Sequence, residues 1–286
     1  MSNSVRYGID VSSYNGDINW SRVHQAGVQH AVIKITRKDL SPDKRFSANW
    51  KGCQAQGISC GVYRYVYEAT AEAAEQAARA VVKLLKEHQA RSGTMIWWDV
   101  EDACLKSAAK STLTPSILAA QRVAESSGYG FGVYCSKYWY ESVLQTKQIS
   151  CPFWIARYPS IRATAFGTAP AERYKPVTTQ TLWGWQYSSA GQVSGISCNT
   201  DLNVIYGEEI SAAAAYPEPA QTLRKGDRGV GVRWVQTKLN ADGAKLEVDG
   251  IFGALTDAAV RQFQKNHHLT VDGIVGPITR AALKEI

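Results

Sequence analysis

Short apolar segments alternate with helical segments over the first 150 residues, and this alternation restricts the fold more than any other feature of the chain. Apolar runs bounded by turn residues predict strands, and the Ala-, Glu- and Lys-rich stretches between them predict helices. Three further strands follow without helices between them. Alternation indicates a parallel sheet, and eight strands favour its closure. The sequence therefore predicts an α/β fold: an irregular TIM-like barrel of five β/α units followed by three strands.

The boundaries of these elements follow from turn residues and helix caps. Thr114 before Pro115 predicts a helix that begins there, with Thr114 as N-cap, and runs to residue 127. The other predicted helices comprise residues 20–26, 44–57, 70–90 and 138–146. The predicted strands comprise residues 5–11, 31–35, 59–67, 94–101, 130–135, 153–156, 182–187 and 201–206.

The fourth strand ends in three acidic residues, Asp99, Glu101 and Asp102. If the strand includes Glu101, alternation places Asp99 and Glu101 on one face, roughly 6.5 Å apart along the backbone. Acid-assisted cleavage of a glycosidic bond requires such a pair of carboxylates. A solvated acidic turn would give the same pattern, so this stretch alone leaves both interpretations open.

Polar residues near other strand ends favour the catalytic interpretation. Asp10 lies near the end of the first strand, and Tyr63 and Tyr65 share one face of the third. In such barrels the catalytic residues lie at the carboxyl ends of the strands. Asp201 falls at the start of its strand instead, which places it at the wrong edge unless that strand runs antiparallel or its boundary lies a few residues away.

Charge and residue spacing argue against several functional classes. The net charge of +7 favours an acidic partner, but no five consecutive like charges occur, so we expect no nucleic acid. No apolar run of 18 residues is present, and we expect no membrane partner.

The first residues lack the apolar core of a signal peptide, which suggests a mature secreted form or phage-type release. The sequence does not indicate an oligomeric state.

Neither a cofactor nor a metal ion is expected. No phosphate-binding glycine motif follows a strand. The five histidines avoid the predicted strand ends, which argues against zinc hydrolysis and against a histidine-assisted nucleophile. The six cysteines include no Cys-x-x-Cys pair and are expected to be reduced; Cys53 and Cys60 are the nearest pair if one disulfide forms.

The last quarter of the chain differs in composition from the barrel. Residues 208–221, which are rich in Ala and Pro, predict a linker between a catalytic barrel at 1–207 and a module at 222–286. The module repeats Asp-Gly-x-x-Gly-x-x-Thr from Asp249 and again from Asp272, with amphipathic helices at 232–239 and 256–266. This pattern predicts a small all-α unit.

Several motifs occur in the order found in one enzyme family. Gly-Ile-Asp-Val-Ser, Gly-Val-Tyr-Arg-Tyr, Trp-Asp-Val-Glu, Phe-Trp-Ile-Ala, Trp-Gln-Tyr and Asp-Leu-Asn resemble glycoside hydrolase family 25, the Chalaropsis-type lysozymes. The tail is similar to the peptidoglycan-binding-like module often attached to cell-wall hydrolases, as in endolysins. The resemblance implies that the partner is bacterial peptidoglycan, which the enzyme would cleave at the β-1,4 bond from N-acetylmuramic acid to N-acetylglucosamine.

The resemblance also assigns roles to particular residues. Glu101 corresponds to the general acid and Asp99, expected to be ionised, to the second carboxylate, which either attacks the sugar or orients the substrate's own acetamido group. Asp10 and Asp201 correspond to the remaining acids of the cleft. The predicted sugar contacts, each of which could equally be a core residue, are Tyr63, Tyr65, Tyr134, Trp154 and Tyr187. A non-catalytic wall-binding protein and an N-acetylglucosaminidase remain as alternatives.

The chain departs from the family pattern at two places. Arg64 replaces the family's usual His, and Thr36-Arg37-Lys38-Asp39 replaces its usual Thr-Glu-Gly. Strand alternation predicts that Arg64 faces away from Tyr63 and Tyr65. The second departure lies at the expected edge of the substrate cleft.

Overall fold

The computed structural model describes residues 5–106, 108, 110–159, 165–206, 216, 218–246, 248 and 250–286. The strands are β1 (Arg6–Val11), β2 (His30–Lys34), β3 (Ser59–Tyr65), β4 (Met95–Asp99), β5 (Gly130–Ser136), β6 (Phe153–Ala156), β7 (Leu182–Gly191) and β8 (Thr200–Ile205). The helices are α1 (Trp20–Gln25), α2 (Phe46–Ala55), α3 (Ala71–Glu87), α4 (Ala103–Lys106), α5 (Lys110–Ser126), α6 (Val230–Ala241), α7 (Ala254–Asn266) and α8 (Pro277–Lys284).

The eight strands form one closed barrel in chain order. The β1–β2, β2–β3, β3–β4, β5–β6 and β6–β7 pairs are parallel, whereas β8 runs antiparallel to both of its neighbours, β7 and β1. The predicted α/β barrel is therefore confirmed. No helix among the described ranges has the length and apolar character that crossing a membrane would require.

Three tryptophans fill the barrel. The ring centroid of Trp97 lies 4.4 Å from that of Trp183 and 5.8 Å from that of Trp154. Gly132 on β5 makes this packing possible, because a Cβ at that position would lie 2.3 Å from the Trp97 ring. Large rings in close contact leave the interior as a packed core, so chemistry is restricted to the barrel ends.

Several predicted boundaries were wrong. Strand β4 ends at Asp99, so Glu101 lies two residues beyond it, and β3 ends at Tyr65. Helix α5 begins at Lys110, which places Pro115 inside it. Thr114 therefore lies inside the helix and is not its N-cap, and its buried hydroxyl donates to the Gln145 side-chain oxygen. Two short turns, Trp139–Val143 and Thr146–Gln148, stand where one helix was predicted at 138–146.

The expectation of reduced thiols was wrong for one pair. Cys53 of α2 and Cys60 of β3 form a disulfide, seven residues apart in sequence. The chain reverses between α2 and β3, which brings the two Cα atoms to 6.9 Å. Among the described residues, no disulfide includes Cys104, Cys135, Cys151 or Cys198.

The chain divides into two compact units, one made of most of residues 1–209 and the other chiefly of 210–286. The second unit contains α6, α7 and α8 around its own apolar core, which confirms the small helical module. The boundaries at 207 and 222 stay predictions, and residues 207–215 and 217, which include most of the predicted linker, lie outside the described residues.

A buried glutamine organises each repeat of the helical module. The Gln264 amide oxygen accepts from the Gly273 backbone N–H at 2.9 Å, and its nitrogen donates to the Thr279 hydroxyl at 3.1 Å. Gln236 bonds Gly250 and Thr256 at 2.9 and 3.1 Å in the same way. Each side chain therefore ties the first glycine of a repeat, Gly250 or Gly273, to the first turn of the next helix, which explains the repeated motif.

Candidate active site

Asp10 and Asp201 face each other across the β1–β8 pair. They occupy paired positions in the antiparallel register, so the start of β8 lies beside the end of β1. The antiparallel direction of β8 resolves the apparent misplacement of Asp201. A hydrogen bond joins the two carboxyl groups, and burial, with the Asp10 charge, raises the pKa of Asp201 to about 9. Asp201 therefore carries a proton at neutral pH and donates it to Asp10.

Asp10 is held by two amides from neighbouring strands. Its Oδ2 accepts from Gln186 Nε2 at 3.0 Å and from Asn203 Nδ2 at 2.8 Å. Burial raises the pKa of Asp10, while these hydrogen bonds act in the opposite direction. Because the neighbouring Asp201 also donates to it, Asp10 is the acceptor of the pair.

Aromatic residues fix the orientation of both amides. The Gln186 oxygen accepts from the hydroxyls of Tyr134 at 2.8 Å and Tyr158 at 2.5 Å. The Asn203 oxygen accepts from the Trp154 indole N–H at 2.8 Å. With both oxygens occupied, each amide can present only its NH₂ group to Asp10.

Asp99 lies at the end of β4, beside Tyr65 of β3. Burial, followed by the charges of Glu101 and Asp10, raises its pKa well above the ordinary value, and Lys34 partly offsets this. Among the described residues, no donor reaches the buried Asp99 Oδ1. Burial and the neighbouring charges therefore oppose ionisation of Asp99, and its ionised state stays a prediction.

Glu101 is more exposed than Asp99 and lies just past the strand. Its pKa is also raised, first by burial and then by the charges of Asp10 and Asp102. The charge of Glu101 also acts on Asp99, so ionisation of one of the two carboxyl groups opposes ionisation of the other. A half-buried, proton-bearing carboxyl group next to a deeper carboxyl group can donate a proton to a bound molecule.

A cavity of about 320 Å³ opens beside Asp10 and Asp201; neither Asp99 nor Glu101 is among its lining residues. Asp10, Asp201 and Tyr63 line it, together with Ser12, Tyr14 and Asn199 among others. The Tyr63 hydroxyl is hydrogen-bonded to Ser12, and burial raises its pKa well above the ordinary value, so it stays a neutral donor. No three potential ligands converge on a metal position in the described ranges.

The predicted sugar contacts fall into different environments. Tyr63 lines the cavity, and Tyr65 lies where the charges of Glu101, Asp102 and Asp99 act on it. The buried side chains of Tyr134 and Trp154 hold the amides described above. Tyr187 is 1% exposed and packs on Trp185, with ring centroids 5.9 Å apart. Direct sugar contact stays a prediction for all five.

The sequence reasoning missed Gln186, Asn203 and Tyr158. Asn203 could have been found, because alternation places it on the same strand face as Asp201. Gln186 lies in the quoted Trp-Gln-Tyr motif, but nothing in the pattern showed that its amide reaches Asp10. Tyr158 follows β6 in a loop and has no periodic signal, although its half-exposed ring places a hydroxyl on Gln186.

A closed eight-strand barrel with four interacting carboxyl groups at one edge is the architecture of a carboxylate-dependent glycoside hydrolase. Residues 9–196 match the model of Glycosyl hydrolases family 25, and the chain belongs to that family. Residues 228–283 match the model named putative peptidoglycan binding domain. The chain is thus a lysozyme-type glycoside hydrolase that acts on peptidoglycan.

Similar proteins include an autolytic lysozyme, a bacterial lysozyme and a modular autolysin. The chain is 28% identical over 266 residues to the autolytic lysozyme of Clostridium acetobutylicum, covering 92% of this chain and 74% of that protein. The fold is similar to the bacterial lysozyme from Streptomyces coelicolor, with TM-score 0.55, 24% identity and 74% and 97% coverage. The fold is also similar to that of the modular autolysin LytC from Streptococcus pneumoniae, with TM-score 0.59 and 24% identity. That match covers 71% of this chain and about half (47%) of the longer LytC chain.

Proposed function

We propose that the enzyme cleaves the β-1,4 bond between N-acetylmuramic acid and N-acetylglucosamine, with Glu101 as general acid. The observation that carries this proposal is the contrast between Glu101 and Asp99. Both carboxyl groups have raised pKa values, but Glu101 is partly exposed whereas Asp99 is buried. A proton on Glu101 can reach the oxygen of a glycosidic bond while Asp99 acts deeper in the site.

The acid step requires Glu101 to be protonated when substrate is bound. Its proton goes to the glycosidic oxygen, which keeps the electron pair of the breaking C1–O bond and leaves as a hydroxyl. After departure of the leaving sugar, the Glu101 carboxylate accepts a proton from the water that attacks C1. The proton is thus returned to Glu101 in each cycle.

Asp99 is proposed to orient the acetamido group of the sugar that is cleaved. Its Oδ1 is buried and receives no hydrogen bond from the described residues, so it can accept one from the substrate's N–H. That bond and the Lys34 charge would favour ionised Asp99, whose negative charge would in turn favour the protonated form of Glu101. The acetamido oxygen would then attack C1 and form a cyclic intermediate.

Direct attack by Asp99 on C1 is the alternative to substrate assistance, and one substrate change separates them. Soluble glycan fragments in which the N-acetyl group of muramic acid is removed keep the sugar but lose the internal nucleophile. Substrate assistance predicts that such fragments resist cleavage. Continued cleavage, with muramic acid at the new reducing end, would favour attack by Asp99.

Asp10 and Asp201 are proposed to form the far wall of the sugar site. Asp201 holds the proton of the pair, so the pair carries one negative charge rather than two. The negative charge that remains on Asp10 raises the pKa of Glu101 and therefore helps to keep the proton on Glu101. The Gln186 and Asn203 amides fix Asp10 in this position.

The helical module is proposed to hold the enzyme on its polymer and raise its effective concentration there. Deletion of residues 222–286 is expected to weaken binding to insoluble walls and leave cleavage of soluble fragments intact. Loss of soluble-fragment cleavage in the deletion variant would contradict this role.

The assignment of Glu101 is tested by clearing of bacterial walls with Glu101→Gln and with Glu87→Gln, an exposed residue of α3. Loss of the acid should slow clearing by about 10²- to 10⁴-fold, and the control should match wild type. Equal clearing by all three proteins would remove Glu101 from the mechanism. Newly formed reducing ends should be muramic acid; glucosamine ends would instead identify an N-acetylglucosaminidase.

A further inference from the structure

A stripe of three tyrosines runs from the cavity outward along the end of β3, and an ammonium group lies at each end of it. We call Tyr63, Tyr65 and Tyr67 the tyrosine stripe. Lys34 Nζ lies 5.8 Å from the ring centroid of Tyr63 and 5.4 Å from that of Tyr65. Lys38 Nζ lies 4.7 Å from the ring centroid of Tyr67. The ammonium groups of both lysines therefore lie close to the aromatic rings of the stripe.

Lys38 lies at the tip of a short, well-bonded hairpin. Thr36 and Pro42 form an antiparallel bridge, and the Arg37 backbone N–H donates to the Ser41 carbonyl at 2.8 Å. Leu40 turns the chain with a φ of 64°. These bonds fix the backbone of the hairpin and therefore limit the positions that the Lys38 ammonium group can occupy.

A buried arginine fixes this hairpin against the stripe. Arg64 is fully buried and donates to the Thr36 hydroxyl and to the Arg37 carbonyl, each at 2.8 Å. It also pairs with Glu68, whose other oxygen accepts from the Tyr67 backbone N–H at 3.1 Å. One buried ion pair thus sets the positions of both Lys38 and Tyr67. The two departures from the family pattern are in direct contact.

The charges at this edge differ from those of the rest of the cleft. Arg37 is paired with Asp39 at 3.7 Å, whereas neither Lys34 nor Lys38 forms an ion pair with a carboxylate of the described residues. Lys38 lies close enough to Asp102, beside the proposed acid, for its charge to act there. A cleft lined with acids repels anionic substrates, and unpaired cations at its edge offset that repulsion.

We propose that Lys38, with Lys34 behind it, binds an oxyanion carried by the glycan strand while the tyrosine stripe packs against the sugars. The inference rests on the proposed function. Two groups of bacterial walls have this chemistry: the carboxylates of the peptide attached to muramic acid, and the phosphates of attached wall polymers. In both cases the bound group lies at a distance from the scissile bond, further along the stripe. Lys38 therefore determines which substituted glycan strands the enzyme accepts as substrates.

The test compares Lys38→Gln with the control Lys44→Gln. Lys44 is an exposed lysine six residues further along the chain, and its substitution removes the same charge. Lys38→Arg keeps the charge and should behave as wild type. Release of reducing ends is measured against substrate concentration with three preparations of Gram-positive walls. These are intact walls, walls freed of phosphate polymers, and phosphate-free walls whose peptide carboxylates have been converted to amides.

Lys38→Gln should lower kcat/KM on intact walls by about two- to fivefold, through KM, as expected for an ion pair at an exposed position. The defect should disappear on phosphate-free walls if the ligand is phosphate, or on amidated walls if it is carboxylate. A defect that persists on amidated walls, no defect on any preparation, or an equal defect in Lys44→Gln would overturn the proposal. Absence of cleavage by wild type on every preparation would instead refute the proposed function and this inference with it.

Discussion

Replacement of Asp201 by Asn should make the protein more stable at neutral pH, although Asp201 belongs to the proposed active site. The folded protein holds a proton between Asp201 and Asp10, and the pKa of Asp201 is raised to about 9 from an ordinary value of 3.8. Burial is the main cause. The amide introduced by Asp201→Asn would still donate to Asp10 but would need no bound proton.

The sign of the effect follows from proton binding. Between about pH 4 and pH 9 the folded state binds one proton more than the unfolded state, so this group stabilises the fold fully below pH 4 and its contribution falls as pH rises. Each pH unit in this range lowers the free energy of unfolding by about 1.4 kcal/mol. Asp201→Asn should therefore gain up to about 4 kcal/mol over wild type at pH 7 and little at pH 4.

Urea unfolding followed by tryptophan fluorescence measures this directly, since eight of the nine tryptophans lie in residues 1–207. The free energy of unfolding is compared between pH 5 and pH 8 for wild type, Asp201→Asn and Glu87→Gln. The slope against pH should be less negative in Asp201→Asn by up to about 1.4 kcal/mol per unit, and unchanged in Glu87→Gln. Parallel slopes for wild type and Asp201→Asn would show that the pair holds no extra proton and would refute the reasoning.

Three further substitutions test the site and both cores. Gln186→Leu removes a donor to Asp10 and should lower kcat by roughly 10- to 100-fold with a smaller change in KM; unchanged kcat would contradict a positioning role. Gly132→Ala places a Cβ against Trp97 and should lower the free energy of unfolding by about 1–3 kcal/mol in urea titrations. Gln264→Leu leaves the Gly273 N–H unpaired and should lower the free energy of unfolding of the helical module by about 1–3 kcal/mol. In calorimetry, only the transition of the module should move to lower temperature.

The barrel could be predicted from the sequence because its signals are local. Apolar runs separated by helical stretches are properties of neighbouring residues. The structure contains the eight predicted strands, and α-helices follow the first four of them. Errors occurred where a tertiary contact overrode a local signal. Thr114 has a good N-cap side chain, but its hydroxyl is used by Gln145, and α5 starts earlier.

The candidate site was predicted in composition but not in arrangement. Asp10, Asp99, Glu101 and Asp201 were identified as acids near strand ends, and their charges do act on one another in the structure. Which of them holds a proton could not be predicted, because this depends on burial and on partners that are distant in sequence.

By itself the sequence determined the eight-strand barrel, the acids at its strand ends, the helical tail with its repeated turns and the resemblance to family 25. Only the tertiary structure decided the direction of β8, the orientation of Gln186 and Asn203 toward Asp10, and the anchoring of the Lys38 hairpin by Arg64. The physical reason is one of range. Propensity and periodicity act over a few residues, whereas Gln186 lies 176 residues from Asp10 and meets it only when the barrel closes.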